Sequence, residues 1–120
     1  MNPITEEVLI GTVGELLVQL RLLEHGVQAA PPIKDSGNDL IAVRGNDFRA
    51  IQVKTVRGDR YHKDGLPDSF HILAVVQLAQ DENGIHLDAS GVYLIPCAAV
   101  ENGRDRDRAT WGVPSIPSPC

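Results

Sequence analysis

The chain has 120 residues and a formal net charge of −5, the size of about one domain, which excludes a multidomain enzyme. Hydrophobic residues make up 42%, enough for a folded core and too many for an intrinsically disordered chain, and no apolar run approaches the ~20 residues of a membrane span. The opening Met1-Asn2-Pro3-Ile4-Thr5-Glu6-Glu7 lacks the basic stretch of a secretory signal, so a soluble cytoplasmic chain with no membrane partner is the expectation.

Residues 5–25 read as a helix. Thr5 is placed to cap it, and Glu6 and Glu7 suit the positive end of its dipole. Leu9, Val13, Leu16, Leu17, Leu20 and Leu23 recur at three- and four-residue steps and predict the stripe that faces the core. Gly26 stands where a left-handed glycine ends a helix. Within the helix, Gly11 and Gly14 remove bulk and allow a close backbone approach.

Val27–Ala30 is a short strand stopped by Pro31-Pro32, and Lys34–Asn38 is a turn by composition. Asp39–Arg44 and Phe48–Val56 read as strands joined by the tight break Gly45-Asn46-Asp47, which favours an antiparallel pair. Residues 57–69 form a long polar stretch of the kind that often carries function. Phe70–Leu78 is nearly all apolar, as expected of a strand buried on both faces. Asp81–Gly84 is a turn, Ile85–Leu87 a short strand, Val92–Ile95 a further strand ended by Pro96, and Cys97–Glu101 one helical turn. These elements predict an α/β fold in which the N-terminal helix packs on a central mixed sheet of about four to five strands. A single domain over 1–101 would be followed by a charged, proline-rich tail over 102–120. Neither Cys97 nor Cys120 has metal-finger spacing, and a buried thiol at Cys97 is the simpler expectation for a cytoplasmic chain.

Charge is unevenly divided. Arg44–Lys63 holds six basic and two acidic residues, a local +4, so the remainder carries −9. A positive patch on an acidic body is one reading; a solvated loop with scattered charges is the other.

Four polar residues stand out as a set: Glu15, Asp39, Gln52 and Lys54. Gln52 and Lys54 are two apart in one strand, so both point to one face, between the apolar Ile51 and Val53. An unpaired buried lysine is costly, so that face is expected to meet solvent, a metal or a ligand. Singly, Asp39 reads as a turn cap, Lys54 as an edge-strand charge and Glu15 as a helix-surface carboxylate. One metal site explains all of them more economically. The histidines show no pairing at metal spacing, and Ser36 and Ser69 have no visible His-Asp partners.

The segments Gly11-Thr12-Val13-Gly14-Glu15, Ser36-Gly37-Asn38-Asp39-Leu40-Ile41-Ala42-Val43 and Ile51-Gln52-Val53-Lys54-Thr55, in this order on helix, strand and strand, resemble the PD-(D/E)XK nuclease superfamily. They are most similar to its small branch of Holliday-junction resolvases and group I intron homing endonucleases, as a Q-x-K variant. The resemblance implies a restriction-endonuclease-like core and hydrolysis of DNA phosphodiester bonds with Mg²⁺ or Mn²⁺. It implies Asp39 as the central metal ligand, with Glu15, the Gln52 side-chain carbonyl and the Val53 backbone carbonyl beside it. Lys54 would orient the attacking water and stabilise the transition state. Thr55, Arg57, Arg60 and Lys63 would contact DNA phosphates. A homodimer is expected because a small nuclease core usually needs two copies to cut two strands, with Phe70–Leu78 or Val92–Ile95 as the contact. Gln52 stands where most members carry an acid. That substitution leaves open a catalytically silent module of the same fold, binding nucleic acid or a protein partner.

Overall fold

Thr5 has extended backbone (φ −71°, ψ 158°) and begins the first helix, α1 (Glu6–Glu24), its hydroxyl accepting a hydrogen bond from the Val8 N–H at 3.3 Å. The computed structural model describes residues 4–33, 38–58, 66 and 69–101. Gly26, at φ 78°, ends α1 in the left-handed conformation that glycine tolerates. The strands follow as β1 (Gln28–Ala30), β2 (Leu40–Arg44), β3 (Asp47–Val56) and β4 (Ile72–Gln77). Then come the two-residue pair β5 (Gln80–Asp81) and β6 (Gly84–Ile85), a 3₁₀ turn at Leu87–Ala89, β7 (Gly91–Pro96) and a short α2 (Cys97–Glu101).

Five strands form one mixed sheet in the order β1-β2-β3-β4-β7. The β2–β3 hairpin closes at Arg44 opposite Asp47, and Gly45 at φ 61° supplies the positive dihedral that a two-residue hairpin turn demands. β3 and β4 are parallel, and the other neighbours are antiparallel. α1 covers one face through Leu17, Val18 and Leu22, packed with Leu40, Ala42, Ile51, Ile72 and Ala74. On the other face Leu73, Val75 and Ile95 pack with Val100 of α2. β4 is therefore buried on both faces, as its unbroken apolar run predicts. No helix among the described residues is long and apolar enough to cross a membrane.

Four expectations need correcting. The leucines at 9, 16, 20 and 23, expected to face the core, are exposed, and the buried face of α1 is Gly14, Leu17, Val18 and Leu22. Apolar residues occupy much of the helix circumference, so periodicity alone offers more than one face. Gly14 decides between them, because it is where α1 comes closest to β3. The second correction concerns the face of Phe70–Leu78 expected as a dimer contact: β4 is an interior strand whose two faces are both buried in the core. Third, β3 is the central strand of the sheet, so Lys54 is not an edge-strand charge. Finally, Cys97 is buried as expected but is disulfide-bonded rather than a free thiol. The only other cysteine, Cys120, lies outside the described residues, as does the expected tail from Asn102 onward.

Candidate active site

Ile51 is where β3 changes neighbours. It pairs with Leu40 of β2 on one side and with Ile72 of β4 on the other. Before it, β3 is laddered to β2 from Asp47; after it, to β4 as far as Val56. The N–H groups near this hand-over need acceptors that no strand supplies. Two side chains provide them. Asp39, just before β2, accepts the Val53 N–H on Oδ2 at 2.9 Å, while its own N–H donates to the Ile51 carbonyl at 3.1 Å. His71, just before β4, accepts the Ala50 N–H on Nδ1 at 2.8 Å, so the ring proton sits on Nε2.

The β2 register ends at Leu40 opposite Ile51, and the Asp39 N–H reaches the same Ile51 carbonyl, so two successive residues share one partner there. Ile51 faces α1 and Val56 faces away from it, so by alternation Gln52 and Lys54 lie on the face away from α1. The Gln52 side-chain oxygen is buried and has no hydrogen-bond partner. Such an acceptor costs free energy unless something else satisfies it. Glu15 reaches the same region from α1: burial, and then the negative charge of Asp39, push its carboxyl above the ordinary glutamate range. Glu15 and Lys54 also line an open cavity of about 530 Å³ together with Glu6, Glu7, Thr55 and Arg57. Asp39 and Gln52 are not among that cavity's described lining residues.

The expected phosphate contacts are placed differently from one another. Thr55 turns its hydroxyl into the helix–sheet contact, where it is buried without a partner. It occupies the space a Cβ on Gly14 would take, so the close approach expected at Gly14 is made by this side chain. Gly11, by contrast, has nothing within 4 Å of where its Cβ would be. Arg57 is exposed at the cavity rim and holds Glu6 at 2.8 Å. Arg60 and Lys63 lie outside the described residues.

The sequence reading missed His71 as the second side chain completing β3. Its only signal was a polar residue immediately before an unbroken apolar strand. His86, at the β5–β6 pair, is held by Asp81 at 2.9 Å, which raises the imidazole pKa and lowers that of the carboxyl. Among the described residues, no group of three or more His, Cys, Asp or Glu side chains could by itself hold a metal ion. A metal here would draw on Asp39 and Glu15 as its acids and on neutral oxygens for the rest. The orphaned Gln52 carbonyl fits that requirement.

No protein-family model matches this chain, and no curated protein matches it in sequence. Its fold is similar to that of a solved bacterial homing endonuclease, I-Ssp6803I, with a TM-score of 0.54 and 17% identity over 79% of this chain and 67% of that one. The two chains share a fold. At that identity the likeness carries the arrangement of helix and sheet and leaves the chemistry to be argued from this chain's own residues.

Proposed function

We propose that the chain is a metal-dependent endodeoxyribonuclease of the PD-(D/E)XK type, in its Q-x-K form. The observation that carries the reading is the buried, partnerless carbonyl oxygen of Gln52, next in sequence to Val53, whose N–H the Asp39 carboxylate accepts. Asp39, Glu15, Gln52 Oε1 and the Val53 carbonyl are the oxygens that would hold Mg²⁺ or Mn²⁺, which supplies Lewis acidity and a bound water of lowered pKa. The Val53 N–H fixes the orientation of the Asp39 carboxylate. Glu15, held above the ordinary carboxyl range, keeps a proton at higher pH than a solvated glutamate does. Lys54, one of the residues bordering the cavity, would stabilise the negative charge that builds on a phosphate oxygen in the transition state. Arg57 is positioned to hold a neighbouring phosphate once it leaves Glu6.

The test is cleavage of supercoiled plasmid and of a labelled four-way junction with Mg²⁺ or Mn²⁺, beside EDTA and Lys54→Ala controls. Metal-dependent cutting that Lys54→Ala abolishes is the expected result. Absence of cutting by the folded chain at high concentration would overturn it. A second reading, a silent DNA-binding module, is favoured by the lack of a three-acid cluster among the described residues. Its signature is salt-sensitive DNA binding with no cleavage under any metal.

A further inference from the structure

We propose that the outer side of α1 is the interface of a two-fold dimer of this chain, the two α1 helices running antiparallel with Leu16 at the axis. The face away from the sheet carries Leu9, Leu16, Leu20 and Leu23, exposed by 46%, 58%, 49% and 60%. With the partly buried Val13 they step along the helix by four, three, four and three residues. That is the spacing of a seam that packs knobs into holes against another helix. None of the five positions is charged.

The pattern matches itself when reversed about Leu16. Leu9 of one copy meets Leu23 of the other, Leu16 meets Leu16, and Val13 interleaves with Leu20. Charge favours the same orientation. Glu6 and Glu7 stand at the start of α1, whereas at its end Arg21 is paired with Glu24 at 3.2 Å. Antiparallel pairing keeps the Glu6-Glu7 starts of the two helices apart and opposes their dipoles, whereas parallel pairing would stack the glutamates.

Area sets a further condition. A stable interface takes about 800 Å² from each partner, and a seam of about 21 Å at ~1.5 Å per residue is too short to supply it alone. The seam runs on into an open groove of about 490 Å³ lined by Leu20, Leu23, Ala29, Ala30, Ile41 and Val43, with the polar Gln19 and Gln28 among them. In the antiparallel arrangement the start of the other copy, with Ile4 exposed by 73%, approaches this groove. The two surfaces form one apolar face that a second copy covers. A lipid surface fits poorly, because α1 carries four glutamates and one arginine and would be repelled by anionic headgroups.

Sedimentation of the full chain over a range of concentrations, without DNA, tests the proposal. A dimer is expected, with Leu16→Glu raising its dissociation constant by about 100-fold while far-UV circular dichroism stays unchanged. Mild oxidation of Leu16→Cys should cross-link the chain to itself above the wild-type background, and Leu9→Cys alone should not. A monomer at every concentration, a dimer indifferent to Leu16→Glu, or self-linking of Leu9→Cys would overturn the proposal. So would a different protein held on this face in place of a second copy. If Leu16→Glu fails to fold, the cysteine variants still decide. The measurement reads mass, so its outcome is separate from that of the cleavage assay.

Discussion

Two side chains complete the hydrogen bonding of β3 at its hand-over, and they differ in everything but that task. His71 closes the β4 side with a neutral ring, and its own backbone N–H and C=O are bonded to Ala50 and Cys97. Asp39 closes the β2 side with a carboxylate bonded to Val53, the residue after the unsatisfied Gln52 amide, and close enough to Glu15 to disturb its titration. The backbone requirement is equal at both places, so it does not explain why one acceptor is ionic. What distinguishes them is the surroundings. One is pinned on both sides by strand ends, and the other stands where β2 begins and bonds a residue that lines the cavity.

The sharpest way to break this comparison is to remove each acceptor. Asp39→Ala and His71→Ala should each destabilise the fold by about 1–3 kcal/mol, because each orphans a β3 N–H, as urea titration would measure. Only Asp39→Ala should lower plasmid cleavage by about 100-fold or more. Asp39→Asn keeps an acceptor for the Val53 N–H, so it should lose the activity and retain most of the stability. Equal loss of cleavage in a folded His71→Ala protein would erase the distinction.

Next in size is the contact that lets α1 bring Glu15 to the hand-over. A methyl on Gly14 would overlap the Thr55 hydroxyl and lie 3.1 Å from Thr55 Cβ. Gly14→Ala should cost about 1–3 kcal/mol, as overpacking does. Its cost should shrink in a Thr55→Ala background, and a double-mutant cycle in urea measures the coupling.

Glu15 gives a smaller effect with a definite sign. Its carboxyl is raised in the folded chain by burial and then by Asp39, so the folded state holds the proton to higher pH than the unfolded state does. The contribution of Glu15 to metal-free stability is therefore greatest below the ordinary glutamate range and falls as pH rises through the raised value. Glu15→Gln should flatten that decline in melts taken across pH, and added Mg²⁺ should oppose it in the unmutated chain. The smallest change is expected from Glu6→Gln. The Arg57–Glu6 pair is exposed on both sides, and its loss should alter stability by less than about 1 kcal/mol. Releasing Arg57 should strengthen salt-sensitive DNA binding, read by fluorescence anisotropy; weaker binding would argue that Glu6 positions Arg57 rather than restrains it.

The elements were legible where local chemistry fixes them. Thr5 and Gly26 bound α1, Gly45 marks the β2–β3 turn, and the unbroken run 72–77 marks a strand buried on both faces. Rotation of the helix was not legible, because leucines spread around α1 satisfy the periodicity in more than one way and a glycine's close approach decides among them. Glu15, Asp39, Gln52 and Lys54 could be picked out as polar residues interrupting apolar elements. Their relation could not, since it depends on β2 stopping where β3 continues. Thr55 was misread for a related reason: strand alternation sends it to the helix side, but only the partner's missing Cβ makes room for it there.

The parallel pairing of β3 with β4 also orders events in time. The β2–β3 hairpin closes through a two-residue turn, an event on the scale of about 1–10 μs. Pairing β3 with β4 must wait until the intervening stretch of fifteen residues between Val56 and Ile72 has looped back, and such non-local contacts are slow to form. Gln52 and Lys54 lie on the half of β3 whose only ladder is that parallel one. The hairpin, with its Asp39 contacts to Ile51 and Val53, is thus expected to close before the ladder that carries Gln52 and Lys54, so a chain with only β2–β3 paired would hold half of the candidate site.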